Sequence, residues 1–208
     1  MKYKIIPAII AKNQKELNQR IKKIKPFVEL IQLDIMDGQF VDNKSFNFNF
    51  KLPKNLKYEA HLMIQHPLEW IEKNYKKIDN IIVHIECLDR LSDIITFAKE
   101  KKKKIGFALN PESNIDMLEP YIFQLDKILI MTVNPGKYGS PFLFSTSRKV
   151  KKLRKLHASL NIEVDGSINE KTIKKLKSKG ANEFVVGSYL QEAKNPKSAF
   201  NILERLIK

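Results

Sequence analysis

Residues 128–133 read Ile128-Leu129-Ile130-Met131-Thr132-Val133, a nearly continuous apolar and β-branched run. Runs of this kind, without polar alternation, are typical of strands that are buried on both faces of a parallel sheet. Seven comparable runs lie elsewhere, at Ile5–Ile10, Leu30–Leu33, Tyr58–Met63, Ile81–Ile85, Ile105–Leu109, Ile162–Val164 and Phe184–Val186. The chain is therefore predicted to contain eight parallel strands.

The segments between these runs have helical periodicity. Leu17, Ile21 and Ile24 form one apolar stripe, and Asn169 and Gly180 are typical N-terminal and C-terminal boundaries of another helix. Successive runs end roughly 21 to 31 residues apart, which matches one βα unit each. We expect an α/β fold, a single-domain (β/α)8 TIM barrel over residues 1–208. An open doubly wound sheet is the alternative, but no Gly-x-Gly-x-x-Gly motif follows the first strand.

Composition limits the classes of function. Cys87 is the only cysteine, so no intramolecular disulfide can form, and the N-terminal apolar run is too short for a membrane span or a signal peptide. These features predict a cytoplasmic protein without a membrane partner. The net charge is +15, but the lysines are scattered along helix faces without the interleaved aromatic residues that stack on bases. The charge therefore indicates a lysine-rich solvated surface, and no nucleic-acid partner is predicted.

Three polar residues lie at predicted strand ends, where the active sites of such barrels are built. These are Asp34, His61 and Asp165, from strands 2, 3 and 7. Two carboxylates on opposite sides of a carbon could remove a proton from one face and return one to the other. A metal ion between them would stabilise the intervening enediolate. Taken singly, each aspartate could instead cap a turn and His61 could be a hydrogen-bonded core residue; their convergence favours the functional interpretation.

Glycine placement indicates a second part of the site. The chain has seven glycines, and four of them lie in the loops after strands 6, 7 and 8: Gly136, Gly139, Gly166 and Gly187. Such loops commonly bind phosphate through backbone N–H groups, because glycine permits a close approach. Ser167 and Ser188 are candidates for the same subsite. The strand-end methionines Met36, Met63 and Met131 either line the site or fill the core.

Seven segments, taken in order, resemble the ribulose-phosphate 3-epimerase family. They are LDIMDGQFVDN at Leu33–Asn43, EAHLM at Glu59–Met63, VHIE at Val83–Glu86, LNP at Leu109–Pro111, MTVNPG at Met131–Gly136, EVDGSI at Glu163–Ile168 and VVGS at Val185–Ser188. The resemblance implies interconversion of D-ribulose 5-phosphate and D-xylulose 5-phosphate. It also implies a divalent metal (Zn, Fe, Mn or Co) and a homo-oligomer, either a dimer or a hexamer.

By matching positions, Asp34 and Asp165 would be the acid/base pair and also metal ligands, with His61 a third ligand. The resemblance places Met36, Met63 and Met131 along the site, and the phosphate against Gly166, Ser167, Gly187 and Ser188.

The sequence also departs from the family pattern. Gln32 stands where the family has a second histidine ligand, and an amide oxygen is a weaker zinc ligand than imidazole. We therefore expect weak or absent metal binding, with Gln32 as a doubtful ligand. Ala8 and Ala11 replace hydroxyl residues in the first strand, and Tyr138 replaces a glycine in the loop expected to cover the substrate. A non-catalytic or metal-deficient sugar-phosphate-binding relative is the alternative function.

Overall fold

The computed structural model describes residues 2–137 and 139–208, and its framework is a closed barrel of eight parallel strands. The strands are β1 (Lys4–Ile9), β2 (Leu30–Asp37), β3 (Lys57–Met63), β4 (Asn80–His84), β5 (Lys104–Leu109), β6 (Lys127–Met131), β7 (Asn161–Asp165) and β8 (Glu183–Val186). All eight predicted runs form strands.

Closure of the barrel comes from β1, which pairs in parallel with both β2 and β8. Ala8 lies opposite Gln32 on one side, and Lys4 lies opposite Glu183 on the other. A closed barrel leaves no parallel edge strand exposed, and it directs alternate side chains of every strand to the interior. The prediction of a single-domain TIM barrel is confirmed, whereas the domain limits 1–208 stay a prediction.

The described residues form seven α-helices around the barrel: α1 (Gln14–Ile24), α2 (Pro67–Asn74), α3 (Leu91–Glu100), α4 (Thr146–Leu156), α5 (Glu170–Ser178), α6 (Ser188–Gln191) and α7 (Pro196–Ile207). The predicted boundaries of α5 are correct. The Asn169 side chain accepts hydrogen bonds from the backbone N–H groups of Lys171 and Thr172, and Gly180 has a φ of 106° just beyond the helix. Across the described residues, no helix is long and apolar enough to cross a membrane.

Two connections differ from the expected strand-helix repeat. Residues 38–56, all of which the structure describes, contain no helix between β2 and β3. Phe46, Phe48 and Phe50 pack against one another there, and Phe50 stacks on Trp70 of α2. The aromatic residues recur every second position, so they cannot form one helical stripe. Between β5 and β6, the chain forms only the short 3-10 turns Ile115–Leu118 and Ile122–Gln124.

Strand β2 continues past its predicted end at Leu33 as far as Asp37. A two-residue antiparallel strand, Lys44–Ser45, pairs with Met36 and Asp37 and extends the hydrogen-bonded ladder. Asp34 consequently lies within a strand, and its position in the barrel is set by the pairing of β2 with β3, opposite His61. This pairing places an acid and an imidazole side by side at the carboxyl end of the barrel.

Candidate active site

A cleft opens at the carboxyl ends of the strands, where barrel enzymes carry their catalytic groups. Asp34 of β2, His61 of β3 and Asp165 of β7 line it together. Asp34 and His61 are buried and Asp165 is half-buried, because each side chain lies on the inner side of its strand. The three residues that the sequence placed at separate strand ends therefore share one cleft.

The geometry of these three side chains fits a divalent cation. One ligand atom from each lies within 4.8 Å of the others. His61 Nδ1 is 3.3 Å from Asp34 Oδ1 and 3.4 Å from Asp165 Oδ2. Ligand atoms around a tetrahedral ion with bonds of about 2.0–2.1 Å are about 3.3 Å apart. The Asp34, His61 and Asp165 side chains thus form a possible Asp-His-Asp metal site.

Gln32 lies at the inner end of this group and is fully buried. Its Nε2 donates to Asp34 Oδ1 at 2.7 Å and to Asp165 Oδ2 at 2.8 Å. Its Oε1 faces away and has no hydrogen-bond partner among the described residues. In this arrangement Gln32 is a donor that bridges the two carboxylates, so its role as a metal ligand stays a prediction.

Burial and mutual charge shift the pKa values of the group. Burial raises the pKa of Asp34, and the Asp165 charge adds to this effect, while hydrogen bonding to His61 opposes it. Burial acts to lower the pKa of His61, but its hydrogen bonds to Asp165 and Asp34 outweigh burial and raise it to about 9. Without a metal, His61 is therefore an imidazolium at neutral pH and compensates the carboxylates.

A second histidine lies behind the first. His61 Nε2 is 2.9 Å from Nε2 of His84, at the end of β4, and both imidazoles are fully buried. His84 Nδ1 is 3.3 Å from Glu86 Oε2. Burial and the neighbouring His61 charge lower the pKa of His84 to about 4, against the effect of Glu86, so His84 is neutral.

The residues predicted for the phosphate subsite line the same cleft. They are Gly136 and Gly139 after β6, Gly166 and Ser167 after β7, and Gly187 and Ser188 after β8. Met63 and Met131 also line it, as does Ala8. Met36 is the exception, because it lines a separate cavity beside the Lys44–Ser45 strand. The structure therefore places Met63 and Met131, but not Met36, along the cleft.

Gly166 shows why this loop needs glycine. Its φ is +121°, in the region that L side chains rarely adopt, and an added Cβ would lie 2.5 Å from Cγ2 of Val133. The loop after β7 can thus approach the loop after β6 closely. The Ser167 hydroxyl then donates to the Ser140 carbonyl, which joins the two loops at the cleft wall.

Sequence reasoning missed two polar residues of the cleft, Lys137 and Ser140. Of the described side chains that line the cleft, Lys137 is the one lysine or arginine. A lysine that follows a loop glycine, next to a candidate phosphate subsite, is the signal that could have identified it. Tyr138, predicted to alter the covering loop, lies outside the described residues.

Comparison with known sequences identifies full-length relatives. The profile of the "Ribulose-phosphate 3 epimerase family" matches residues 4–191. The ribulose-phosphate 3-epimerase of Schizosaccharomyces pombe is 30% identical over 213 residues, covering 98% of this chain and 93% of the relative. That of Bacillus subtilis is 32% identical over 209 residues, covering 95% and 96%. The cytoplasmic isoform of Oryza sativa is 30% identical over 214 residues, covering 98% and 94%.

Solved structures show the same fold at lower sequence identity. The 3-hexulose-6-phosphate synthase of Salmonella typhimurium aligns over 98% of both chains, with a TM-score of 0.71 and 15% identity. KGPDC from Streptococcus mutans covers 100% of this chain and 98% of its own, with a TM-score of 0.71 and 14% identity. These two structures support the barrel fold and carry no argument about function. The family profile and the full-length relatives show that this chain is an epimerase and belongs to the ribulose-phosphate 3-epimerase family.

Proposed function

We propose that the protein interconverts D-ribulose 5-phosphate and D-xylulose 5-phosphate, or a related ketose phosphate, by two-aspartate proton transfer at C3. The observation that carries this proposal is the convergence of Asp34 and Asp165 on one cleft, with ligand atoms within 4.8 Å of each other and of His61. Epimerisation needs an acid and a base on opposite faces of one carbon, and two carboxylates from β2 and β7 supply that pair.

The two aspartates differ in environment, because Asp34 is buried and Asp165 is half-buried. Burial and the charge of Asp165 raise the pKa of Asp34, so Asp34 holds a proton more readily than an ordinary aspartate. Asp165, half-buried at the cleft wall, is assigned as the base that removes the C3 proton in one direction. Asp34 then delivers a proton to the opposite face, and the roles exchange in the reverse reaction.

The enediolate formed between these steps carries negative charge. Asp34, His61 and Asp165 would hold a divalent ion (Zn, Fe, Mn or Co), which supplies Lewis-acid stabilisation of that charge when bound. Without the ion, the chain's own residues still stabilise the charge. His61, with its pKa raised to about 9, presents a cationic imidazole, and Gln32 holds both carboxylates by hydrogen bonds at 2.7 and 2.8 Å.

The phosphate group is assigned to the loops after β7 and β8. Gly166, Ser167, Gly187 and Ser188 line the cleft together, and backbone N–H groups in glycine loops are suited to phosphate oxygens. Gly136 and Gly139 extend the same wall, while Met63 and Met131 supply apolar contacts beside the aspartates. A dimer or hexamer, a cytoplasmic location and the lack of a nucleic-acid partner stay predictions.

Proton exchange at C3 tests the assignment. Wild-type protein incubated with D-ribulose 5-phosphate in D2O should incorporate deuterium at C3 and form D-xylulose 5-phosphate, both measured by NMR. Asp165→Asn should abolish the exchange while phosphate binding remains measurable, because the amide cannot take up the proton. Wild-type-like exchange in Asp165→Asn would reject the acid/base pair. Absence of exchange in the wild-type protein with every candidate metal would reject the proposed reaction.

A further inference from the structure

A chain of hydrogen bonds leads from His61 away from the cleft into the barrel wall. His61 Nδ1 faces the two aspartates, and its Nε2 lies 2.9 Å from His84 Nε2. The two rings are stacked, with centroids 5.0 Å apart. His84 Nδ1 in turn lies 3.3 Å from Glu86 Oε2. The cleft is thus connected to a carboxylate that does not line it.

The contacts determine which group donates and which accepts in each of these hydrogen bonds. Two imidazole nitrogens can share a hydrogen bond only if one carries a proton and the other does not. An ionised Glu86 can only accept, so the proton of His84 lies on Nδ1. His61 Nδ1 faces Asp34 and Asp165, and it can offer a lone pair to a metal ion there only if the ring proton of His61 lies on Nε2. His84 Nε2 is then the acceptor, and His61 Nε2–H is the donor.

Other contacts hold Glu86 and His84 in place. Glu86 Oε1 accepts a hydrogen bond from the backbone N–H of Asn110 at 2.8 Å, which ties it to the loop after β5. The ring of Phe40, from the connection after β2, packs against His84 with centroids 4.6 Å apart. His84 is fully buried between these groups, so its ring has little freedom to turn.

We infer that His84 and Glu86 are positioning residues, which keep the His61 Nε2 occupied and its Nδ1 directed at Asp34 and Asp165. The orientation holds in both states of His61. A neutral His61 presents the Nδ1 lone pair, and a cationic His61 presents an Nδ1–H. The inference deepens the proposed function, because the orientation of His61 sets what it can offer to a metal or to the enediolate.

The first test reads the protonation directly. In the metal-free protein at neutral pH, 15N NMR of the histidine rings should show His84 neutral and protonated on Nδ1. In Glu86→Leu the acceptor is lost, so the proton of His84 should shift in part to Nε2 and the hydrogen bond between His61 and His84 should weaken. A wild-type His84 protonated on Nε2 would overturn the inference, since it could not then accept from His61.

The second test measures the effect on the site through zinc affinity, by competition with a chelator. Glu86→Leu should weaken zinc binding by about 10- to 100-fold. Glu86→Gln should weaken it less, because its single amide oxygen can still accept from His84, although not also from the Asn110 N–H. Glu119→Leu, an exposed change in the β5–β6 connection, is the matched control. Equal affinities in Glu86→Leu and Glu119→Leu would overturn the inference.

A second pair of variants tests the inference in case Glu86→Leu does not fold. His84→Gln can accept from His61 and donate to Glu86, whereas His84→Phe can do neither, so zinc affinity should be retained in the first and reduced in the second. Equal affinities in this pair would contradict the inference. Neither the NMR measurement nor the zinc-affinity measurement requires turnover. If both give the expected results but the wild-type protein has no epimerase activity, the proposed function is rejected and the inference about His84 and Glu86 stands.

Discussion

Lys127 is buried at the amino-terminal end of the barrel interior, where its substitution should be strongly destabilising. Its ammonium lies 2.7 Å from Glu59, 2.6 Å from Glu163 and 2.5 Å from Glu183. Glu183 also pairs with Lys4 at 2.7 Å. These five side chains, the lysine cluster, place three carboxylates against two ammonium groups.

Lys127→Met removes the central cation while it nearly conserves the length of the side chain. Glu59 and Glu163 are fully buried, and each has a second oxygen without a hydrogen-bond partner among the described residues, so both would lose their compensating charge. Removing one partner of a buried ion pair costs about 3–5 kcal/mol. Since whole domains are stable by about 5–15 kcal/mol, we expect the variant to lose about a fifth or more of its free energy of unfolding.

The loss should depend on pH. In the native protein, burial and the Glu59 charge already raise the pKa of Glu163 well above its usual value, although Lys127 opposes them. Without Lys127 the folded-state pKa of Glu163 rises further. A raised folded pKa contributes stability below the unfolded value near 4.5 that is lost as pH rises through the folded value. The free energy of unfolding of the Lys127→Met variant should therefore increase as the pH is lowered from 8 to 5.

Urea unfolding followed by circular dichroism at pH 8 and pH 5 measures both effects. Lys151→Met, on the exposed face of α4, is the matched control and should change stability by less than about 0.5 kcal/mol. Adding Glu59→Gln and Glu163→Gln to Lys127→Met should restore part of the loss, because the remaining charges then balance. A loss in Lys127→Met below about 1 kcal/mol at pH 8, or one that is the same at pH 5, would refute the reasoning.

Three further predictions concern metal, phosphate and helix stability. Protein purified without added metal should contain well below one equivalent, and Gln32→His should raise zinc affinity at least about tenfold, because imidazole binds zinc more strongly than an amide. An unchanged zinc affinity of Gln32→His in a chelator competition would show that the Gln32 amide does not limit zinc binding. Lys137→Met should raise KM for a ketose phosphate by about three- to tenfold with little change in kcat, and it should weaken the salt dependence of KM. Equal KM values in Lys137→Met and Lys151→Met would remove Lys137 from the phosphate subsite. Asn169→Ala should lower the free energy of unfolding by about 1 kcal/mol, and Asn169→Asp should not, because aspartate can still accept from the first turn of α5. Equal thermal unfolding midpoints of the two variants would contradict the capping role.

The sequence by itself determined the parts of this protein that depend on local pattern. Eight buried runs predicted the eight strands, because burial on both faces requires apolar side chains at consecutive positions. Asn169 and Gly180 predicted the ends of α5, since capping involves residues within one or two turns of each other. Asp34, His61 and Asp165 could be placed near one another because parallel strands of a barrel bring their carboxyl ends to the same face.

Only the tertiary structure decided what lies beside these residues. Lys127 would be expected at the surface from its sequence, yet closure of the barrel brings it to glutamates 36 to 68 positions away along the chain. The folded barrel also brings Gln32 to Asp165, 133 positions away along the chain, and His61 to His84. Local periodicity indicates which side of a strand each residue occupies. It does not indicate which residues of other strands lie next to it across the barrel. Those neighbours are set by strand register and closure, so the hydrogen bonds of the candidate site could be assigned only from the folded chain.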